Sequence, residues 1–236
     1  MNTTVDTKSV ASEAAVARGG QAPNFDRLAK LYFWMELVTF GPLLSRCRET
    51  FLSELRSVRR AVVLGDGDGR FTSVLLRANS QVRIDAVDAS PAMLDALLAR
   101  AGQNAARVSA HCVDARDWQP ANPPYDLIVS HFFLDCLTTE EIRALAVKLH
   151  GAVLPSAKWI VSDFAIPNDW FGRWLAHPLV WLLYRAFGVL TGLKIRGLPD
   201  HQAALRNAAF SLTRRHTWLC GLLVSEIWRP QGVELR

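Results

Sequence analysis

The chain has 236 residues, half of them hydrophobic, and a formal net charge of +5. That is enough for one substantial core and reads as a single domain with a helical extension. The basic residues are scattered, with Arg59-Arg60 and Arg214-Arg215 as pairs rather than tracts, which argues for a basic exterior and against a nucleic-acid-binding arm.

Residues 1–22 are polar, rich in Ala, Ser, Thr and Gly, and lack helical periodicity; they are expected to be disordered. They show no basic start followed by an apolar core, so no signal peptide is expected. Residues 23–236 are read as one domain. Phe25 to Val38 carries apolar residues at helical spacing, with an aromatic patch at Tyr32-Phe33-Trp34, until Gly41-Pro42 breaks it. A second helix is expected over Leu43 to Leu55. Strands are expected at Ala61–Leu64, Val82–Val87, Val108–Val113, Asp126–Ser130 and Trp159–Ser162, with helices at Phe71–Arg77, Ala92–Ala101 and from Thr138 or Thr139 to Leu149. Ser90-Pro91 supplies an N-cap and a first-turn proline. Phe210–Leu219 and Leu222–Trp228 read as a closing hairpin. Strands alternating with helices predict a doubly wound, mostly parallel α/β sheet.

Between the fifth strand and the hairpin lies an apolar, aromatic stretch (Trp170, Phe171, Trp174, Trp181, Tyr184, Phe187) interrupted by Arg173, His177 and Arg185. Its longest uncharged run falls short of the roughly 20 residues of a bilayer span. Residues 168–195 are therefore expected to be a helical insertion. They cover the sheet, form a lid over an apolar substrate, or touch a membrane surface peripherally. The four cysteines, Cys47, Cys112, Cys136 and Cys220, lack metal-ligand spacing. They read as buried free thiols of a cytoplasmic protein.

The chemistry concentrates at Ala61-Val-Val-Leu-Gly-Asp-Gly-Asp-Gly-Arg70, where an apolar run ends in alternating glycines: Gly65, Gly67 and Gly69. The next strand ends at Asp88. A glycine turn after one strand and an acid after the next bind an adenosine-type cofactor at the carboxyl edge of a parallel sheet. Arg70 occupies the place of a dinucleotide fingerprint's third glycine, so the loop suits a ligand without a pyrophosphate, such as S-adenosylmethionine. Asp66-Gly-Asp-Gly69 lacks the further oxygen ligands of a calcium loop, and no metal site is expected.

In order, LGDGDGR (64–70), AVDASPAML (86–94), VDARDW (113–118), YDLIVSHFFLDCL (125–137) and AKWIVSDFAIP (157–167) resemble the class I S-adenosylmethionine-dependent methyltransferases. FDRLAKLYFWMELVTFG (25–41) is similar to the opening of the ubiquinone/menaquinone-type C-methyltransferases, with Phe33 where an aspartate usually follows the tyrosine. The resemblance implies a seven-stranded Rossmann-like sheet with N-terminal helices and the helical insertion before its last two strands. It also implies that Tyr32 closes over the cofactor, that Gly65, Gly67 and Gly69 line its methionine and ribose, and that Asp88 holds the ribose hydroxyls. Ala89 and Met93 would pack on the adenine, Asp114 and Ala115 would bond it, and Ser130 and His131 would end beside the sulfonium. Val63 stands where the family usually has an acid. Either Asp66 or Asp68 takes its place, or both are turn-forming residues.

His131, Asp135 and Asp163 are the candidates for proton transfer, with a structural or capping role as the alternative for each. Asn122-Pro-Pro-Tyr125 matches a motif of amino-methyltransferases, but it precedes the fourth strand instead of following it and reads as a turn. The expected activity is methyl transfer from S-adenosylmethionine to a small, moderately apolar acceptor at O, S, N or activated carbon. The alternatives are a non-catalytic cofactor-binding module and an RNA or protein methyltransferase.

Overall fold

The computed structural model describes residues 42–165 and 198–232. The expected tail, the helix over Phe25–Val38 with Tyr32, and the insertion at 168–195 lie outside the described residues. Chain order runs from α1 (Pro42–Glu49) to β1 (Arg60–Leu64), α2 (Arg70–Ala78), β2 (Arg83–Asp88), α3 (Pro91–Ala101) and β3 (Val108–Cys112). It continues through β4 (Tyr125–His131), α4 (Thr139–His150), β5 (Val153–Phe164), α5 (His201–Asn207), β6 (Phe210–Trp218) and β7 (Leu223–Pro230).

The strands form one seven-stranded sheet in the order β3-β2-β1-β4-β5-β7-β6. The first five are parallel, and β7 runs antiparallel to both β5 and β6. Strand order reverses between β1 and β4, the switch point where ligands of such sheets bind. Apolar runs mark the central strands because helices cover both faces. Val62, Leu64, Ile128, Trp159 and Val161 pack with Ile142, Leu145 and Leu149 of α4. The alternate residues Ala61, Val63, Leu127, Val129 and Ile160 pack with Phe71 and Leu75 of α2 and Leu94 and Leu97 of α3.

Helix starts follow local chemistry. Ser90 accepts the Met93 amide ahead of Pro91, and Thr138 and Glu141 form a reciprocal capping box at α4. Several boundaries differ from the sequence reading, three of them near the site or its supporting strands. The segment expected as one helix over Leu43–Leu55 stops at Glu49 and resumes as a 3-10 turn at Leu52–Leu55. There the Thr50 hydroxyl donates to the carbonyls of Arg46 and Cys47 and competes with the helical ladder. β5 is longer than expected. It begins at Val153, paired with Tyr125, and a register shift between Tyr125 and Leu127 absorbs the Pro155-Ser156 stretch. His131, expected just past β4, is its last residue.

The cysteine expectation needs correction. Cys47 is buried and Cys136 partly so, but Cys112 and Cys220 are exposed. β3 is an edge strand, and Cys220 sits in the turn between β6 and β7. No helix among the described residues is long and apolar enough to cross a membrane. Asn122 and Tyr125 both donate to the buried Asp85, at 2.9 and 2.6 Å. The Asn-Pro-Pro-Tyr turn is thereby pinned at the start of β4.

Candidate active site

β1 delivers the glycine loop to the carboxyl edge. Gly65, Gly67 and Gly69 have φ of 62°, 58° and 77°, which L side chains rarely adopt. Their surroundings differ. A Cβ on Gly65 would lie 2.3 Å from the Phe133 ring, and one on Gly69 would lie 2.5 Å from Leu97. Among the described residues, one on Gly67 would meet only Met93 Sδ, at 3.8 Å. Gly65 and Gly69 are therefore held by packing as well as by backbone, whereas Gly67 is free to approach a ligand.

The two loop acids are both engaged. Asp66 accepts the amides of Phe71 and Thr72, at 3.3 and 2.7 Å, and so caps α2 from outside the helix. Burial pushes its carboxyl up, against the pull of those amides. Asp68 binds Arg100 at 2.6 Å and Arg70 at 3.2 Å.

Asp88 ends β2, and its Oδ1 accepts the Ser90 amide at 2.9 Å. Burial raises its pKa, against the pull of the Ser90, Gly67 and Ala89 amides. The Ser90 amide ties the acid to the start of α3, and the Gly65 amide, donating to the Val87 carbonyl at 2.9 Å, ties the glycine loop to the end of β2. Met93 lies beside Gly67, and Ala89 follows Asp88 directly. Past β3, Asp114 is gripped by Arg116, whose Nε and Nη2 donate to its two oxygens at 2.9 and 2.6 Å. Arg116 also bonds Glu141 in the first turn of α4 at 2.8 Å. Ala115, next to Asp114, is buried. The sequence reading missed Arg116, although its position two residues after Asp114 permits that grip.

The end of β4 distributes its side chains. Ser130 accepts the Trp159 indole N–H at 2.9 Å and belongs to the α4 face. His131 points to the α2 face, edge-on to Phe71 with centroids 4.5 Å apart. It is buried, and neither ring nitrogen has a hydrogen-bond partner. Burial, then the charge of Arg48, holds the imidazole well below its usual pKa, so it is neutral. Phe132 turns the chain at φ +52° and packs with Leu44, Cys47 and Leu223. Phe133 then covers Gly65. Neither Phe133 nor Arg48 was singled out from the sequence, because both roles depend on the turn after β4.

Asp163 stands buried near the end of β5, and its Oδ1 accepts the Phe164 amide at 2.8 Å. Burial, and then the nearby charge of Asp135, pushes its pKa well above the carboxylate range. The same two influences, with Asp163 added, raise the Cys136 thiol. The structure thus brings Asp135, Cys136 and Asp163 together and places His131 apart from them. Among the described residues no group of three or more His, Cys, Asp or Glu side chains could hold a metal ion.

Residues 61–156 match the family described as a methyltransferase domain. Over 146 residues the chain is 34% identical to the trans-aconitate 2-methyltransferase of Rhodococcus jostii, covering 60% of this chain and 51% of that protein. It therefore spans about half the length of that curated relative. Among solved structures it resembles the mitomycin 7-O-methyltransferase MmcR, with a TM-score of 0.67, 17% identity, and coverage of 92% of this chain and 62% of that one. It also resembles the N-methyltransferase NodS of Bradyrhizobium japonicum, with a TM-score of 0.56, 16% identity, and coverage of 80% and 97%. The methyltransferase-domain match thus spans the glycine loop at the switch point, on a sheet with the Rossmann-like fold of the methyltransferase structures it resembles.

Proposed function

We propose that the chain binds S-adenosylmethionine at the carboxyl edge between β1 and β4 and transfers a methyl group to a small acceptor that is at least partly apolar. The carrying observation is the placement of Asp88, held by the Ser90 amide, beside the glycine loop that Gly65 ties to the end of β2 at the switch point. Among the described residues, a Cβ on Gly67 would have only Met93 for a neighbour, so the loop leaves room for a ligand. The residues fit the cofactor. Asp88 would accept the ribose hydroxyls, Met93 and Ala89 would pack on the adenine, and Asp114, oriented by Arg116, would accept its amino group with Ala115 beside it. When bound, the cofactor supplies an electrophilic methyl carbon. The chain's own work is then alignment, exclusion of water and, where the acceptor carries a proton, its removal. A neutral His131 can accept such a proton, and Asp135 is the carboxylate set against the protonated Asp163 on the other face. The relatives methylate different atoms, so the acceptor atom follows from the residues around the edge and not from the fold. The free thiols fit a reducing compartment, the cytoplasm.

The test is incubation of the full chain with labelled S-adenosylmethionine and a panel of phenols, thiols, amines, quinols and carboxylic acids. Transfer of label to at least one small acceptor is expected. Calorimetry showing no binding of S-adenosylhomocysteine, or tighter binding of NAD, would overturn the assignment.

A further inference from the structure

Arg60, Arg83 and Arg107 are scattered through the sequence, and the fold gathers them at the amino edge of the sheet. Arg60 opens β1, Arg83 opens β2, and the parallel register sets the two side by side. Arg107 stands just before β3. With Ser109 and Asn122 they line a recess of about 320 Å³. It lies at the far end of β1 from the glycine loop, roughly 16 Å from Gly65 along the strand, and so is separate from the cofactor edge.

The arginines keep their charge. Arg107 donates to the carbonyls of Leu76, Asn79 and Val82 and to the Asn104 side-chain oxygen. Arg60 reaches the carbonyls of Asn122 and Pro123, at 3.3 and 3.5 Å. Arg83 has no side-chain partner among the described residues. Asp85, in the floor, is buried, and its oxygens meet the Tyr125 hydroxyl, the Asn122 amide and His111 Nε2 instead of a guanidinium. Asp126 accepts the amides of Arg59 and Arg60, and Arg59 matches its charge. Set against Asp85, the three arginines leave two positive charges around the recess. Neighbouring like charges repel, and a bound dianion relieves that repulsion. Phosphate suits the guanidinium fork, and the volume suits a small ligand. Tyr125 lines the recess but is buried, so it offers no platform for the base stacking that single-stranded nucleic acids use.

We propose that this recess binds the phosphate group of a small ligand, with Arg60 and Arg83 donating to its oxygens and Arg107 adding charge. The proposal is independent of the methyl-transfer reading.

Calorimetry on the full chain at about 0.15 M ionic strength, with inorganic phosphate, inorganic diphosphate and ribose 5-phosphate, tests it. Saturable binding of at least one is expected. Arg83→Gln and Arg60→Gln should each weaken it by about tenfold or more, the loss of a hydrogen bond to a charged group. Arg83→Lys should recover part of the loss. Arg143→Gln removes the same charge from α4, where Arg143 pairs with Glu140, and should stay within about twofold of wild type. S-adenosylhomocysteine affinity should be unchanged in all four variants. Ribose 5-phosphate binding more tightly than phosphate assigns the group to an organic ligand, and equal affinity assigns it to the free ion. No saturable binding of any probe, or equal weakening by Arg83→Gln and Arg143→Gln, would overturn the recess. A uridine oligonucleotide that binds more tightly than diphosphate and is weakened alike by every Arg→Gln change would overturn it too, in favour of a diffuse nucleic-acid surface. Should Arg60→Gln fail to fold, the exposed Arg83 carries the test.

Discussion

His131 and Asp163 end neighbouring parallel strands but face opposite sides of the sheet, because His131 stands in register with Ser162. Both are buried in neutral form, the imidazole with its pKa lowered and the carboxyl with its pKa raised. Their contributions to stability therefore run oppositely with pH. Below the unfolded histidine value of about 6.5, the unfolded chain binds the proton that His131 refuses, so its contribution is lost as pH falls. Above the unfolded aspartate value of about 3.9, the folded chain keeps a proton that the unfolded chain releases, so Asp163 destabilises as pH rises.

Asp163→Asn keeps an acceptor for the Phe164 amide and removes the ionisation. Its melting temperature is expected to exceed that of wild type at pH 8 by about 2–4 °C for each kcal/mol relieved. The advantage should shrink toward pH 4, where both states of the wild type approach protonation. Thermal unfolding followed by circular dichroism from pH 4 to 8 checks this. A variant less stable than wild type at pH 8 would contradict it.

A histidine held neutral does not titrate near neutrality. The pH profile of kcat/KM is therefore expected to show no limb from His131 between about pH 6.5 and 8, a range above the reference histidine value. His131→Asn should leave the shape of the profile in that window unchanged. A wild-type limb near pH 6.5 that His131→Asn abolishes would show that the imidazole ionises there.

Much of this arrangement was legible from residue order. The run Ala61–Leu64 with its glycines, the acid at Asp88, and the Ser90-Pro91 start of α3 are all local signals, and all appear where expected. The face that His131 occupies was not legible, because alternation in a strand makes orientation depend on a boundary of one residue. The first half of β5 was hidden because Pro155 and Ser156 have low strand preference, and the pairing of Val153 with Tyr125 is what starts the strand before them. The engagement of Asp66 and Asp68 was equally invisible. One depends on the amides of a helix start and the other on Arg100, far along the chain.

Asp88→Ala should weaken S-adenosylhomocysteine by about 1.5–3 kcal/mol, the scale of hydrogen bonds to a charged group. Because the Ser90 amide also bonds Asp88, the variant should lose melting temperature too. Asp88→Asn keeps one acceptor for that amide and should separate the effects, with stability largely restored and affinity still reduced. Isothermal calorimetry beside a melt reads both, and an unchanged affinity in Asp88→Ala would count against the ribose role.

The glycines of the loop should respond differently to the same substitution. Gly65→Ala forces a Cβ to 2.3 Å from the Phe133 ring at a φ of +62°, adding a clash to a left-handed strain of about 1–2 kcal/mol. Gly67→Ala carries similar strain, but among the described residues its Cβ has only Met93 Sδ within 4 Å, at 3.8 Å. Gly65→Ala is therefore expected to lower the melting temperature more than Gly67→Ala. Gly67→Ala should show the larger loss of cofactor affinity relative to its loss of stability, because its new methyl group projects into the cradle. Adding Phe133→Ala to Gly65→Ala should relieve the clash and recover part of the melting temperature. The recovery should be incomplete, since the backbone strain persists and the Phe133 packing is gone. A double variant no more stable than Gly65→Ala alone would show that Phe133 is not what makes glycine necessary at position 65.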